Sequence, residues 1–198
     1  MKNPIELKEK IVQESLRLFS MKGFLSTSIQ DIMSVTNASK GGVYNHFKSK
    51  GEIFLAVLSE ARKIWRDRNL KDLDKIESPV EKVKKLLENY RDRYLKDTNT
   101  FPGGCIFVSL SVELDDQRPD FSGELNQGFS RLKAMVKRYL DQGKDAGELR
   151  KDVDTEAVTE MIFAGMLGAS VIHGLDKTPR CIDRCFNALI GYLETLAP

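Results

Sequence analysis

Side chains able to do covalent chemistry are few in this chain. Histidine occurs at His46 and His173, and neither belongs to a Ser/His/Asp or paired-carboxylate arrangement. No phosphate-cradling glycine loop or dinucleotide pattern occurs. Nothing therefore points to an enzyme, and no cofactor is expected. Three cysteines make an odd, small set that argues against a disulfide framework. Cys181 and Cys185 fall at i, i+4 on one helical face with His173 nearby. They are either a metal or redox pair or small apolar packing residues, and no metal site is assigned. Cys105 follows Gly103 and Gly104 at a helix start, where a thiol pKa can fall. Glu113, Asp115 and Asp116 either cap a helix end or face water.

The chemistry that remains is recognition, and it lies in residues 27–50. Thr27 followed by Gln30 reads as a capping box, so a helix is predicted from Ser28, with Ile29, Ile32 and Met33 as its apolar stripe. Asn37 tolerates the left-handed conformation that ends a helix. Ser39 is the next N-cap and opens a second short helix from Lys40 to about Phe47. Ser49 followed by Glu52 starts a third. Two short helices across a tight turn make a helix-turn-helix, whose second helix can enter a DNA major groove.

On that second helix Val43 and Phe47 share a buried face. Gly41, Gly42, Asn45 and Lys48 point the opposite way, and Tyr44 and His46 flank the strip. Two glycines in a first turn cost roughly 1 kcal/mol each against alanine, but they permit close backbone approach to a base edge or phosphate. Helix starts beside Lys40, Lys48 and Lys50 make an anion-facing surface. Phosphate contacts are therefore expected from Thr27, Ser28, Ser39, Lys40, Tyr44, His46 and Lys50, and base contacts from Gly41, Gly42, Asn45 and Lys48. Asn45 is the leading candidate for specificity, because asparagine can bond adenine bidentately. The bland alternative is that the caps are only caps and Tyr44 only packs.

These residues carry a family resemblance. Gly23-Phe24, Thr27-Ser28, Asp31-Ile32, Ala38-Ser39-Lys40-Gly41, Tyr44, His46-Phe47 and Ser49-Lys50 resemble, in register, the DNA-binding signature of the TetR family of bacterial transcriptional regulators. The likeness covers about residues 5–58. Asn37 stands where the family usually has Gly, and Gly51 where it usually has Glu. Beyond these residues the likeness is one of length and helical organisation. It implies a dimer, repression of an operator, and a pendulum-like response to a ligand. Some such regulators sense electrophiles through a cysteine, which keeps a thiol switch at Cys105 open.

Composition fits this picture. Hydrophobic residues at 41% and charged residues at 30% describe a globular protein. No apolar run is read as a membrane helix and no signal peptide opens the chain, so a cytoplasmic location is expected. Residues 1–50 carry eight Lys/Arg against four Asp/Glu, a balance of +4 beside a whole-chain charge of +2. A basic end on a mildly acidic remainder suits an N-terminal nucleic-acid contact.

Periodicity predicts an all-α fold of about nine helices, with a helix-turn-helix domain over residues 1–50 and a helical ligand-binding and dimerisation domain over 51–198. A first helix over 5–21 braces the motif and ends at Gly23, and Lys2 near the N-terminus could touch phosphates. A long helix from Lys50 to about Leu70 leaves the motif for the body, making it the natural mechanical link. Further helices are predicted from Pro79 to Asp97, over a short apolar stretch from Cys105 to Leu114 buried nearly all round, and over 119–146. The last two open at Asp154 and near Pro179.

Trp65, Tyr90, Tyr94, Phe101, Cys105, Phe107, Phe129, Met161, Phe163 and Met166 come from several body helices and either line an apolar ligand cavity or form plain core. The last two helices carry surplus apolar surface, with the small residues Ala164, Gly165, Gly168 and Ala169 allowing close approach. They are expected to pair as a four-helix homodimer interface. The expected partners are thus an operator duplex, a small inducer and a second copy, with no membrane. The rivals are a helical small-molecule-binding or catalytic protein without specific DNA recognition, and an architectural DNA binder without a ligand.

Overall fold

The computed structural model describes residues 4–176 and 178–198, so the expectation for Lys2 lies outside the described residues. The helices are α1 (Pro4–Lys22), α2 (Ile29–Thr36), α3 (Lys40–Tyr44), α4 (Lys50–Asn69), α5 (Pro79–Asn89), α6 (Ile106–Leu114), α7 (Pro119–Asp145), α8 (Thr155–Asp176) and α9 (Pro179–Thr195). A 3-10 turn, Leu73–Lys75, follows α4, and α5 runs on into a wider π-type turn, Tyr90–Leu95. No strand occurs among the described residues.

The helix ends follow the capping chemistry with one shift of register. Ser28, not Thr27, is the N-cap of α2, and its reciprocal partner is Asp31 rather than Gln30. Ser39, Ser49 and Ser78 cap α3, α4 and α5 by accepting from the amide three residues on. Asn37 ends α2 in the left-handed region at φ 54°. The second helix of the motif is shorter than predicted and stops at Tyr44, although the amides of His46 and Phe47 still reach the carbonyl of Val43.

The head is α1 to α3 closed by the first turns of α4, around Ile11, Leu16, Phe19, Phe24, Ile32, Val43 and Phe54. Lys10 donates to the carbonyl of Thr36 and so ties α1 to the end of α2. The body packs α5 against α7 and α9, α7 against α8, and α8 against α9. At the far end of α4, the Asn89 amide donates to the carbonyls of Asn69 and Lys71. Those carbonyls lie where a helix runs out of its own donors.

Two predicted elements need correction. α6 is not buried all round, since Val112 is 75% exposed and Ser109 also faces outward. α8 has the length and apolarity to cross a membrane, contrary to the reading that no such stretch exists. Here it packs between α7 and α9, and it presents Val171, Ile172 and Leu175 at the surface.

Head and body are joined by a close seam. Phe121 of α7 stacks on Phe54 with ring centroids 4.3 Å apart, and meets Phe24 edge-on at 5.4 Å. The Arg118 guanidinium covers Phe121 at 3.9 Å. A Cβ on Gly103 would stand 1.6 Å from the backbone oxygen of Ser20, so only glycine lets the loop before α6 lie on α1. Phe121→Ala is expected to cost about 3–5 kcal/mol of stability, with most of it recovered by Phe121→Leu, read as the midpoint of urea unfolding. Unchanged stability in the alanine variant would show that the seam is not cohesive.

Candidate nucleic-acid interface and ligand cavity

On the head, the cap of α2 is a closed electrostatic unit. Asp31 accepts from the Ser28 amide and hydroxyl, each at 2.7 Å, and pairs with Lys22 at 3.0 Å. The Ser28 amide, then its hydroxyl, then Lys22 hold this carboxyl down at about 2. The cap is thus fully formed above the ordinary carboxylate value and opens only as pH falls through about 2.

The exposed side of the motif presents Ser28, Ser39, Lys40, Gly41, Tyr44, Asn45 and Lys48, with His46 half-buried beside them. Val43 and Phe47 lie beneath. The ammonium groups of Lys40 and Lys48 form no ion pair among the described residues, and the Asn45 side chain has no hydrogen-bond partner there. Space beyond Gly41 is open, as a surface that lets another molecule approach the backbone must be.

Three of the expected contacts are placed elsewhere. Thr27 is only 1% exposed, and its hydroxyl donates to the Gly23 carbonyl at 2.6 Å, so it closes a turn instead of meeting phosphate. Gly42 is not open like Gly41: its amide donates to the Ser39 hydroxyl, and a side chain there would meet Ser39 and Leu7. Lys50 directs its ammonium into the head, at 2.9 Å from the carbonyl of Phe24 and 2.8 Å from that of Thr27, over the Phe24 ring at 4.3 Å. Burial lowers its pKa, opposed by the Glu113 carboxylate. Lys50 is therefore a brace of the turn between α1 and α2, not a phosphate contact.

Glu113 shares that turn. Its carboxylate accepts from the amides of Phe24 and Leu25, both at 2.8 Å, linking α6 to the head. Sequence reasoning left Glu113 as a cap or a solvated acid. It is a cap, but of a segment 88 and 89 residues away, which no local pattern signals.

In the body, a cavity of about 230 Å³ opens between α4, α6, α7 and α8. Of the residues read as either cavity wall or core, Trp65, Tyr90, Cys105, Phe107, Phe129, Phe163 and Met166 line it. Tyr94 and Phe101 do not: they are buried core, packed on one another at 5.1 Å with Tyr94 stacked under Tyr90. Met161 is 39% exposed on the outer side of α8. Sequence reasoning missed Arg62, Arg66 and Arg131 in the wall. The i, i+4 spacing of Arg62 and Arg66 around Trp65 was the available signal.

At the inner end the Tyr90 hydroxyl lies within hydrogen-bond reach of Cys105 Sγ at 3.3 Å and of the Ser170 hydroxyl at 3.0 Å. Burial pushes the Cys105 thiol up, against the hydroxyl bonds it receives, so the lowered pKa expected of a helix start is not found. Burial likewise holds Tyr90 well above its usual range. His173 turns Nδ1 to the Thr178 carbonyl at 3.0 Å, and no metal-holding cluster of His, Cys, Asp or Glu occurs among the described residues.

An exposed pair of short helices with free cations, mounted on an α-helical body, is the geometry of a helix-turn-helix protein. Residues 11–57 match the family model described as bacterial regulatory proteins, tetR family, and residues 79–189 match the tetracyclin repressor-like C-terminal domain. The chain belongs to the TetR family and is a transcriptional regulator with a helix-turn-helix DNA-binding domain, not an enzyme. It is 36% identical, over 67% of each chain, to an HTH-type transcriptional regulator in the lacX 3' region of Lactococcus lactis subsp. lactis. It is 23% identical, over 96% of each, to the HTH-type transcriptional repressor DhaR of Mycobacterium sp. (strain GP1). A TetR regulator structure from Chloroflexus aurantiacus J-10-FL superposes with a TM-score of 0.89 at 26% identity, covering 98% of this chain and 96% of that one.

Asn45→Ala is expected to relax preference at one or two base pairs of a selected duplex by about 1–3 kcal/mol, measured by competition binding. Lys40→Ala should weaken all sequences alike and reduce the slope of log affinity against log salt by about 1. Lys50→Ala should leave that slope nearly unchanged while lowering the melting temperature. A full unit lost from the slope would return Lys50 to the phosphate contacts.

Proposed function

We propose that the chain is a homodimeric, cytoplasmic repressor that leaves a near-palindromic operator when a small, largely apolar inducer fills the body cavity. The observation that carries this reading is the double duty of α4. Its first turn is fastened inside the head through Lys50, and three turns on it supplies Arg62, Trp65 and Arg66 to the cavity wall. A molecule in the cavity therefore touches the same rigid element that sets the attitude of the recognition unit.

The rest of the seam makes that coupling mechanical. Glu113 on α6 grips the Phe24 and Leu25 amides, while Phe107 of the same helix lines the cavity. Phe121 on α7 enters the head's aromatic cluster, and Leu125 and Phe129 farther along α7 line the cavity. An inducer moves the heads only by its difference in affinity for the two arrangements. Repression is supported by the naming of DhaR as a repressor.

Dimerisation through α8 and α9 is supported by their outer faces. Met161, Val171, Ile172 and Leu175 on α8 and Tyr192 on α9 stand at the surface, and space beside Gly168 and Gly191 is open. Such a pairing would present two recognition helices to half-sites about 34–36 Å apart, one DNA turn.

The test is selection of bound duplexes from random DNA by the purified protein. The expected product is an inverted repeat with half-site centres one turn, or a whole number of turns, apart. Binding without a preferred sequence would favour a helical ligand-binding protein without specific recognition, and selection of a single half-site would overturn the dimer. Coupling is tested on the selected operator with Glu113→Gln, whose amide holds the two backbone donors more weakly. Operator affinity should then respond less to any compound that releases the wild type.

A further inference from the structure

Apart from its arginines and the Tyr90 hydroxyl and Cys105 thiol at its inner end, the cavity wall is apolar, and no aspartate or glutamate occurs among its described lining residues. The three guanidinium groups are not equivalent. Arg62 is already neutralised, bonding the Glu124 carbonyl at 2.7 Å and its carboxylate at 3.2 Å. Arg66 on α4 and Arg131 on α7 are exposed and have neither an ion pair nor a side-chain hydrogen bond among the described residues. Two like charges from two different helices thus border one cavity without a counter-charge.

The inner end offers the opposite environment. The Tyr90 hydroxyl lies between Cys105 Sγ and the Ser170 hydroxyl there, and Ser170 gives its proton to the Met166 carbonyl at 2.7 Å. These groups are neutral and mutually bonded, so they neither demand nor stabilise a charged ligand group. A charge brought into the cavity has its only oppositely charged, unpaired partners among the lining residues at Arg66 and Arg131.

We propose that the cavity takes an amphipathic organic anion, its apolar body against Trp65, Phe107 and Phe129 and its carboxylate on Arg66 and Arg131. This rests on the reading of the cavity as the inducer site and names the chemical class of the inducer. Guanidinium groups suit a carboxylate because they can donate two parallel hydrogen bonds to its oxygens. Cationic ligands are disfavoured by the same two charges. A carboxylate between Arg66 and Arg131 would replace repulsion between α4 and α7 by a shared attraction. The ligand's charged end would then act directly on the helix that carries the head.

The chain's single tryptophan is Trp65, in the cavity wall, so its fluorescence reports occupancy without a label. Two matched series serve as probes: 4-phenylbutyrate, its amide and 4-phenylbutylamine, and octanoate, octanamide and octylamine. Within a series the apolar body is constant and the charge is negative, absent or positive. Titrated against the full chain, the acid should bind at least about tenfold more tightly than the amide, with the amine weakest. Arg66→Gln combined with Arg131→Gln should bring acid and amide together, and both positions are exposed, so the fold is not at risk.

Equal binding of acid and amide, tighter binding of the amine, or an acid preference that survives the double variant would each overturn the assignment of charge. Failure of all six compounds to alter Trp65 fluorescence or the melting temperature would overturn both this proposal and the ligand response beneath it. Operator binding would stand untouched by that result.

Discussion

The fold depends most on how the turn after α1 is held. That turn carries Phe24 into the head's core, and three separate groups grip its backbone. Glu113 takes the amides of Phe24 and Leu25, Lys50 takes the carbonyls of Phe24 and Thr27, and Thr27 returns to the carbonyl of Gly23. Gly23 sits at φ +83°, where a side chain would be strained and would also strike the Glu113 carboxylate. An acid from α6 and a base from α4 thus close on one loop between the first two helices. Since backbone polar groups in such a place must be paired, neither can be withdrawn without leaving donors or acceptors bare.

The consequence is that the head cannot drift as an independent unit on a flexible stem. The aromatic contacts reinforce this, because Phe121 of α7 sits among Phe24 and Phe54 as though it belonged to the head's own core. α4 is one unbroken helix of 20 residues, and Asn89 finishes its far end by bonding the Asn69 and Lys71 carbonyls. A rigid rod fastened at both ends transmits displacement better than it absorbs it. Under the proposed ligand response, a shift in the cavity wall would be carried along α4 to the attitude of α3.

Legibility from sequence divides along the range of the interaction. Ser39, Ser49 and Asn37 were readable because a cap is satisfied within three or four residues of itself. The α2 cap shows the margin of error: Thr27 with Gln30 and Ser28 with Asp31 are both plausible boxes one residue apart. The second wins because Thr27 turns its hydroxyl back to Gly23 and is buried. Val43 and Phe47 were readable from helical spacing, although the helix itself stops early. Lys50 was misread because a lysine beside a DNA-binding motif looks like a phosphate ligand, while its real partners are carbonyls 23 to 26 residues upstream. Trp65, Phe107 and Phe129 were found by their apolar character, but that character cannot separate a cavity wall from core such as Tyr94. Arg66 and Arg131 were missed for the complementary reason, since an arginine on a helix reads as solvated until the fold shows an apolar hollow beside it.

The asymmetry of the cavity bears on how any response would be tuned. Its inner end is a closed, neutral hydrogen-bonded group, which gives a ligand little to gain beyond burial of apolar surface. Burial of that kind is non-directional, so it favours the filled cavity without favouring one attitude of α4 over another. Directional contacts are available where α4 and α7 bring side chains to the same opening. Only interactions whose strength differs between the two arrangements can couple ligand to DNA, and the coupling is reciprocal: an operator that weakens the ligand must be weakened by it in the same proportion. Affinity and response are thus assigned to different parts of one cavity. On the proposed reading, the apolar floor would set how tightly a molecule is held, and contacts that span α4 and α7 would set how much of that holding reaches the head.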